Sequence, residues 1–86
     1  MKLKLPIFFY NEDTVSKDNM GIDFTNEECD VNYVTFYSID NISPWWDGDH
    51  EYTCICSGME KFICQMSVDE VEKKIDEQIN KMPILN

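Results

Sequence analysis

Three cysteines, Cys54, Cys56 and Cys64, come nearest to a chemical constellation in this chain of 86 residues. Thiolates bind zinc tetrahedrally, and His50 or Cys29 would supply a fourth ligand. Cys54 and Cys56 are two residues apart in the apolar run Tyr52-Thr53-Cys54-Ile55-Cys56, so on a strand they share a face. Cys64 joins them only if the turn from Ser57 to Glu60 holds a one-residue bulge. Zinc knuckles usually show Cys-x-x-Cys spacing, and reduced cysteine in an apolar run behaves as a small hydrophobe. The three thiols are therefore weak metal candidates, and a core role is the expectation. Asp47-Gly48-Asp49 lacks the further ligands and spacing of a calcium loop. No cofactor is expected.

Catalysis has little to work with. The one histidine, His50, sits in the turn-like stretch Asp47-Gly48-Asp49-His50-Glu51, whereas a general acid or base needs a positioned, partly sheltered group. A nucleophilic cysteine needs a base beside it, and His50 is the one histidine on offer. No glycine-rich phosphate loop, Gly-x-Ser-x-Gly or His-Glu-x-x-His is present. The reading is a protein that is not an enzyme.

The carboxylates are more informative. Seventeen acids face seven lysines, for a formal charge of −10, and there is no arginine. From Asn11 to Glu51 eleven acids accompany the single base Lys17, so the whole net charge lies in that segment. Affinity for phosphate backbones comes from Lys and Arg, so nucleic acid and anionic membranes are poor partners and basic protein surfaces good ones. The candidate partner-binding acids are Glu12, Asp13, Glu27, Glu28, Asp30, Asp47 and Asp49. These acids are expected in loops and turns, contributing little to packing. Trp45 and Trp46 join them, because adjacent residues of a strand face opposite sides. One indole is then expected to be exposed, unless Trp46 packs beneath the segment from Asn11 to Asn32. An exposed tryptophan among carboxylates has the make-up of a recognition hot spot.

The elements that must hold these residues fit one domain over residues 1–86. Lys2 to Tyr10 reads as a strand, with Pro6 marking an edge or an irregularity. Residues 11–32 form an acidic stretch of weak pattern, expected as a loop region, with Ile22 and Phe24 hinting at a short strand. Val34 to Ile39 has the β-branched and aromatic make-up of a strand that runs irregularly on to Ile42. Tyr52–Cys56 and Lys61–Met66 follow around the turn at Gly58, and the three form an antiparallel meander. Ser67 with Glu70 makes a capping box. Val68, Val71, Ile75, Ile79 and Met82 form one apolar stripe, which predicts a helix over 67–82 stopped by Pro83. The fold class is α+β: a small antiparallel sheet of three to five strands with one C-terminal amphipathic helix across it.

The stretch from Tyr52 to Cys64, followed by Ser67-Val68-Asp69-Glu70-Val71, is similar in rhythm to FlbD-like flagellar regulators. It also resembles the last hairpin and helix of LytTR DNA-binding domains. The likeness covers Val34 to Glu77 and implies topology: strand, strand, Ser-Gly turn, strand, capped helix. LytTR domains grip DNA with basic side chains, and this chain departs from that pattern.

No run reaches the roughly 18–20 apolar residues of a membrane-spanning helix. The N-terminal apolar stretch is followed by Asn11-Glu12-Asp13 instead of small cleavage-site residues. A cytoplasmic protein with reduced cysteines is the expectation. Its leading functional reading is an interaction module that presents acidic side chains to a basic partner. In its most specific version it is an inhibitor that mimics nucleic acid, as the acidic anti-defence proteins of phages do. The alternative is a small regulatory or accessory subunit that docks through an apolar face.

Overall fold

The computed structural model describes residues 1–80. The chain runs β1 (Leu3–Phe9), α1 (Glu12–Asn19), a 3₁₀ turn (Asn26–Glu28), β2 (Asp30–Phe36), β3 (Asn41–Asp47), β4 (His50–Ser57), β5 (Glu60–Cys64) and α2 (Val68–Asn80). The five strands form one antiparallel sheet in the order β2-β1-β5-β4-β3. The expected α+β fold, a small antiparallel sheet with a C-terminal helix packed on it, is what forms.

Strand alternation divides the sheet into two faces. Leu3, Leu5 and Ile7 of β1, Phe36 of β2, Ile55 of β4 and Cys64 of β5 are buried together with Val71 of α2. Val34, Ile42, Phe62 and Ile75 pack around them. Phe36 meets Phe62 edge to face at 5.2 Å, a geometry that suits the ring quadrupoles. Thr53 is fully buried in this layer, and its hydroxyl donates to the Met66 carbonyl at 2.8 Å. The polar atom is thereby satisfied inside an apolar core.

The join between β1 and β5 is narrow, a single bridge at Ile7 and Cys64, and Pro6 explains why. A residue's N–H and C=O point to the same side of its strand. The Pro6 carbonyl accepts from Gln65 N at 2.9 Å, so the missing proline donor is missing on the β5 side. Pro6 therefore marks an irregularity in an interior strand and not a sheet edge.

Two departures from the expected elements matter. The strand expected from Val34 to Ile42 is two strands, β2 and β3, on opposite edges of the sheet. The link between them is held by the β4–β5 hairpin: Asp40 N donates to Cys56 O and Gly58 N to Asp40 Oδ2, while Ser57 Oγ donates to Ser38 O. The meander is consequently β3–β4–β5, and β2 instead pairs along all of β1. In the expected loop of 11–32 stands a helix, α1. Asn11 Oδ1 accepts from Thr14 N at 2.9 Å while Thr14 Oγ1 accepts from Asn11 N at 2.8 Å, a reciprocal box. Gly21, at φ 70°, ends it: its N–H reaches the Asp18 carbonyl and Ile22 N the Lys17 carbonyl, the Schellman pattern. Ile22 and Phe24 form no strand; the Phe24 ring packs edge-on to Tyr10 at 5.2 Å.

Both two-residue hairpin loops place glycine at the first central position, Gly48 (φ 61°) and Gly58 (φ 62°). Their second residues have ordinary negative φ, the type II′ pattern that matches strand twist. For α2 the capping box is as expected, with Glu70 N donating to Ser67 Oγ and the Ser67 amide and hydroxyl reaching Glu70 Oε1. Val71 is buried and Ile75 half-buried, but Ile79 is exposed. The stripe is therefore covered only along the first part of the helix. The expected helix end at Met82, the stop at Pro83 and the tail Ile84-Leu85 lie outside the described residues.

Candidate partner-binding surface

Residues far apart in sequence converge where the 3₁₀ turn meets the β3–β4 hairpin. Asn26 N donates to Asp47 Oδ2 at 2.6 Å, and the indole N–H of Trp45 donates to Asn26 Oδ1 at 3.3 Å. These bonds bring Glu27 beside the hairpin, with Glu27 Oε1 3.7 Å from His50 Nε2. Asp49 follows Gly48 in the hairpin loop. The Asn11 side chain ties α1 to the same region by donating to the Glu28 carbonyl at 2.7 Å and to Asp30 Oδ1 at 3.3 Å. Glu12 and Asp13 then open α1, where carboxylates suit the positive end of a helix dipole.

Several of these acids have structural work, contrary to the expectation that they contribute little to packing. Glu28 Oε2 accepts the Thr25 amide at 2.8 Å and Oε1 pairs with Lys17. The Lys17 side chain and the Thr25 amide hold the Glu28 carboxyl below its ordinary pKa. The same Glu28 pair raises that of Lys17. Asp47 caps the 3₁₀ turn, and Asp30 meets Asn11. Glu27 and Asp49 are left with exposed carboxylates that accept no hydrogen bond from the described residues apart from the looser approach of His50.

The two tryptophans separate as strand geometry requires, yet neither is buried. Trp45 stands opposite Tyr52, on the face away from α2, and is 45% exposed. Trp46 stands opposite Glu51, on the α2 side, and is 61% exposed. The tryptophan that reaches the segment from Asn11 to Asn32 is Trp45, so Trp46 does not pack beneath it.

The thiols do not converge. Ser57 pairs with Glu60 across an unbulged two-residue loop, so Cys64 lies opposite Thr53 and Cys54 opposite Ile63. Cys54 and Cys56 face away from α2, whereas Cys64 is buried beneath it. Among the described residues no three His, Cys, Asp or Glu side chains are grouped to hold a metal ion. Burial pushes the thiols of Cys29, Cys54 and Cys64 above their ordinary pKa, which keeps them protonated and weakly nucleophilic near neutral pH.

Tyr52 belongs to the same surface without any motif in the sequence to mark it. It is 7% exposed, its ring packed edge-on against Phe8 at 5.0 Å and nearly parallel to His50 at 6.2 Å. Its phenol is raised above its ordinary pKa by burial first, then by Glu27 and Asp47. Its even position in β4, shared with Cys54, puts it on the face that meets the 3₁₀ turn. No helix among the described residues is long and apolar enough to cross a membrane. No family model, curated protein or solved structure matches the chain.

Proposed function

We propose that the protein is a binding module, without catalysis of its own, that meets a basic protein partner through the carboxylates around the 3₁₀ turn and the β3–β4 hairpin. The observation that carries this reading is the Asn26–Asp47 bond. It spans 21 positions of sequence and sets the exposed carboxylates of Glu27 and Asp49 beside the half-exposed Trp45. Charge steers a basic partner in from a distance, and an aromatic ring among those charges gives close contact. A cytoplasmic setting, which keeps the four thiols reduced, belongs to the same reading.

A second reading, docking as an accessory subunit through an apolar face, has its own support. Met1, Ile39, Ile42, Ile75 and Ile79 line an apolar groove of about 370 Å³ between the β2–β3 link and α2. Salt separates the two. The immobilised protein is exposed to a lysate of its own host cells at low and at high ionic strength, and the bound proteins are identified by mass spectrometry. The acidic-surface reading expects a basic protein that is retained at low salt and lost at high salt, because exposed charge pairs are screened. A partner retained equally at both would favour the groove and overturn the leading reading. If the salt-sensitive partner is a nucleic-acid-binding protein and nucleic acid displaces it, the narrower reading as a mimic of nucleic acid gains its support.

A further inference from the structure

We infer that the outer edge of β2 is a self-association surface, at which two copies of this chain pair β2 with β2, antiparallel, and join their sheets into one. This surface is distinct from the acidic one and stands or falls without it.

Hydrogen-bond direction leaves half of the β2 backbone free. The Pro6 carbonyl faces β5, where it accepts from Gln65 N, so the pair Pro6–Tyr33 carries no bond between β1 and β2. Tyr33, and with it Val31 and Thr35, therefore turn their N–H and C=O groups outward, while Asp30, Asn32, Val34 and Phe36 bond to β1. The strand β2 ends the sheet, and no described residue meets those outward groups.

The two edges of the sheet are not alike. In β3 the two-residue loop makes Asp47 and His50 a bonded pair, so Trp45, Ser43 and Asn41 bond to β4 and Pro44 faces outward. The missing donor of Pro44 thus lies on the open edge, a guard against strand addition. The β2 edge has no such guard. Its sequence Asp30-Val31-Asn32-Tyr33-Val34-Thr35-Phe36 holds no proline, glycine or lysine, and it pairs with β1 in unbroken register. Tyr33 is 68% exposed and Val31 37%. A long, regular edge with exposed apolar side chains is a template for another strand.

Charge selects a second copy as that strand. The Asp30 end of the edge is acidic: Asn11 ties Asp30 and the Glu28 carbonyl to the start of α1, where Glu12 and Asp13 lie. The Thr35 end is basic: Lys2, Lys4 and Lys74, against the one carboxylate of Glu77, line a cavity of about 310 Å³ with Thr35. An extended basic peptide would suit the first end alone. An antiparallel second copy brings the acidic end of each molecule to the basic end of the other. A two-fold axis through Tyr33 sets Val31 of each copy opposite Thr35 of the other, and Asp30 opposite Phe36. Every outward N–H and C=O is then satisfied, the two Asp30 carboxylates stand at opposite ends, and the Tyr33 rings form a cross-strand aromatic pair. Such an interface uses the same patch on both molecules and closes at two copies.

The test takes the ¹⁵N-labelled full chain from dilute to concentrated solution at physiological ionic strength, where the general repulsion of two chains at −10 is screened. Sedimentation equilibrium gives the mass and amide hydrogen exchange gives the place. Pairing predicts a mass that doubles with concentration. Within β2, exchange should slow at Val31, Tyr33 and Thr35 alone, since the other amides are already bonded to β1. Tyr33→Pro gives β2 the guard that β3 has and costs the β1–β2 ladder no bond. By symmetry it removes two donors from the dimer, and should raise its dissociation constant about tenfold or more. If that variant alters the amide map of the monomer outside β2, Tyr33→Lys decides, because it sets two like charges at the axis and should also weaken the dimer. A chain that stays monomeric at the highest concentration would overturn the inference. So would a dimer whose slowed amides lie elsewhere, or one that both substitutions leave as tight as wild type.

Discussion

Glu28 shows how an acid that looks like surface charge becomes structure. One oxygen accepts the Thr25 amide and the other pairs with Lys17, linking the 3₁₀ turn to α1. Because its folded pKa is lowered, its contribution to stability is present above the ordinary glutamate range, about 4.3. That contribution is lost as pH falls through the lowered value. Lys17 has the opposite sign. Its raised pKa makes its contribution complete below the ordinary lysine value and lost as pH rises through the raised one. Glu28→Gln should therefore destabilise the protein near neutral pH, and the difference from wild type should fade as pH falls below the ordinary glutamate range and through the lowered value. Thermal unfolding of both proteins across that range is the check, and a difference that stays constant with pH would show that the carboxylate's charge plays no part. Comparing the pair of proteins matters, since acidification also relieves the repulsion of a chain at −10.

At the scale of elements, α2 was readable because two independent signals agreed: the Ser67–Glu70 box and the stripe beginning Val68, Val71, Ile75. The helix α1 has no stripe and fully buries only Thr14, so hydrophobic periodicity is silent there. Its readable signals were the Asn11-x-x-Thr14 spacing and Gly21. The split of β2 from β3 was hidden because Val34 to Ile42 is continuous in composition, and the bonds that turn the chain at Asp40 come from Cys56 and Gly58. The register at Cys64, by contrast, was within reach, since Gly58 as first of two loop residues signals an unbulged II′ hairpin. The clustering of Glu27 with Asp47 rests on a bond between distant segments, which no local pattern announces. The two caps can be compared directly. Asn11→Ala removes the cap of α1 and its bonds to Glu28 and Asp30, and should cost about 1–2 kcal/mol, the upper part of the capping range. Ser67→Ala removes a longer, exposed cap bond of 3.3 Å and the hydroxyl's 3.1 Å bond to Glu70 Oε1, and should cost about 0.5–1 kcal/mol. Chemical denaturation measures both, and a larger loss at Ser67 would mean that α1 adds little to the stability of the sheet.

For the whole molecule the question is whether the charge exists for a partner, and the structure decides which carboxylates can answer it. Glu28, Asp30, Asp40 and Asp47 accept internal hydrogen bonds, and Glu12 and Asp13 lie where the α1 dipole favours them. Neutralising those would confuse function with folding. Asp18, Asp23, Glu27 and Asp49 are exposed, and the side chains of the four accept no hydrogen bond from the described residues. The variant Asp18→Asn, Asp23→Asn, Glu27→Gln, Asp49→Asn should keep its stability within about 0.5 kcal/mol of wild type, with any change upward as self-repulsion falls. A variant that also carries Glu28→Gln should be less stable than this one. Against a basic partner recovered at low salt, the fourfold variant should associate more slowly while dissociating at a similar rate, since exposed charges act chiefly on the encounter. The deficit should shrink as ionic strength rises and the Debye length falls below the separation of the charges. Surface-resonance kinetics at several salt concentrations give both rates. An association rate equal to wild type at low salt would reduce the charge to a solubilising coat and leave the apolar groove beside α2 as the surface that binds.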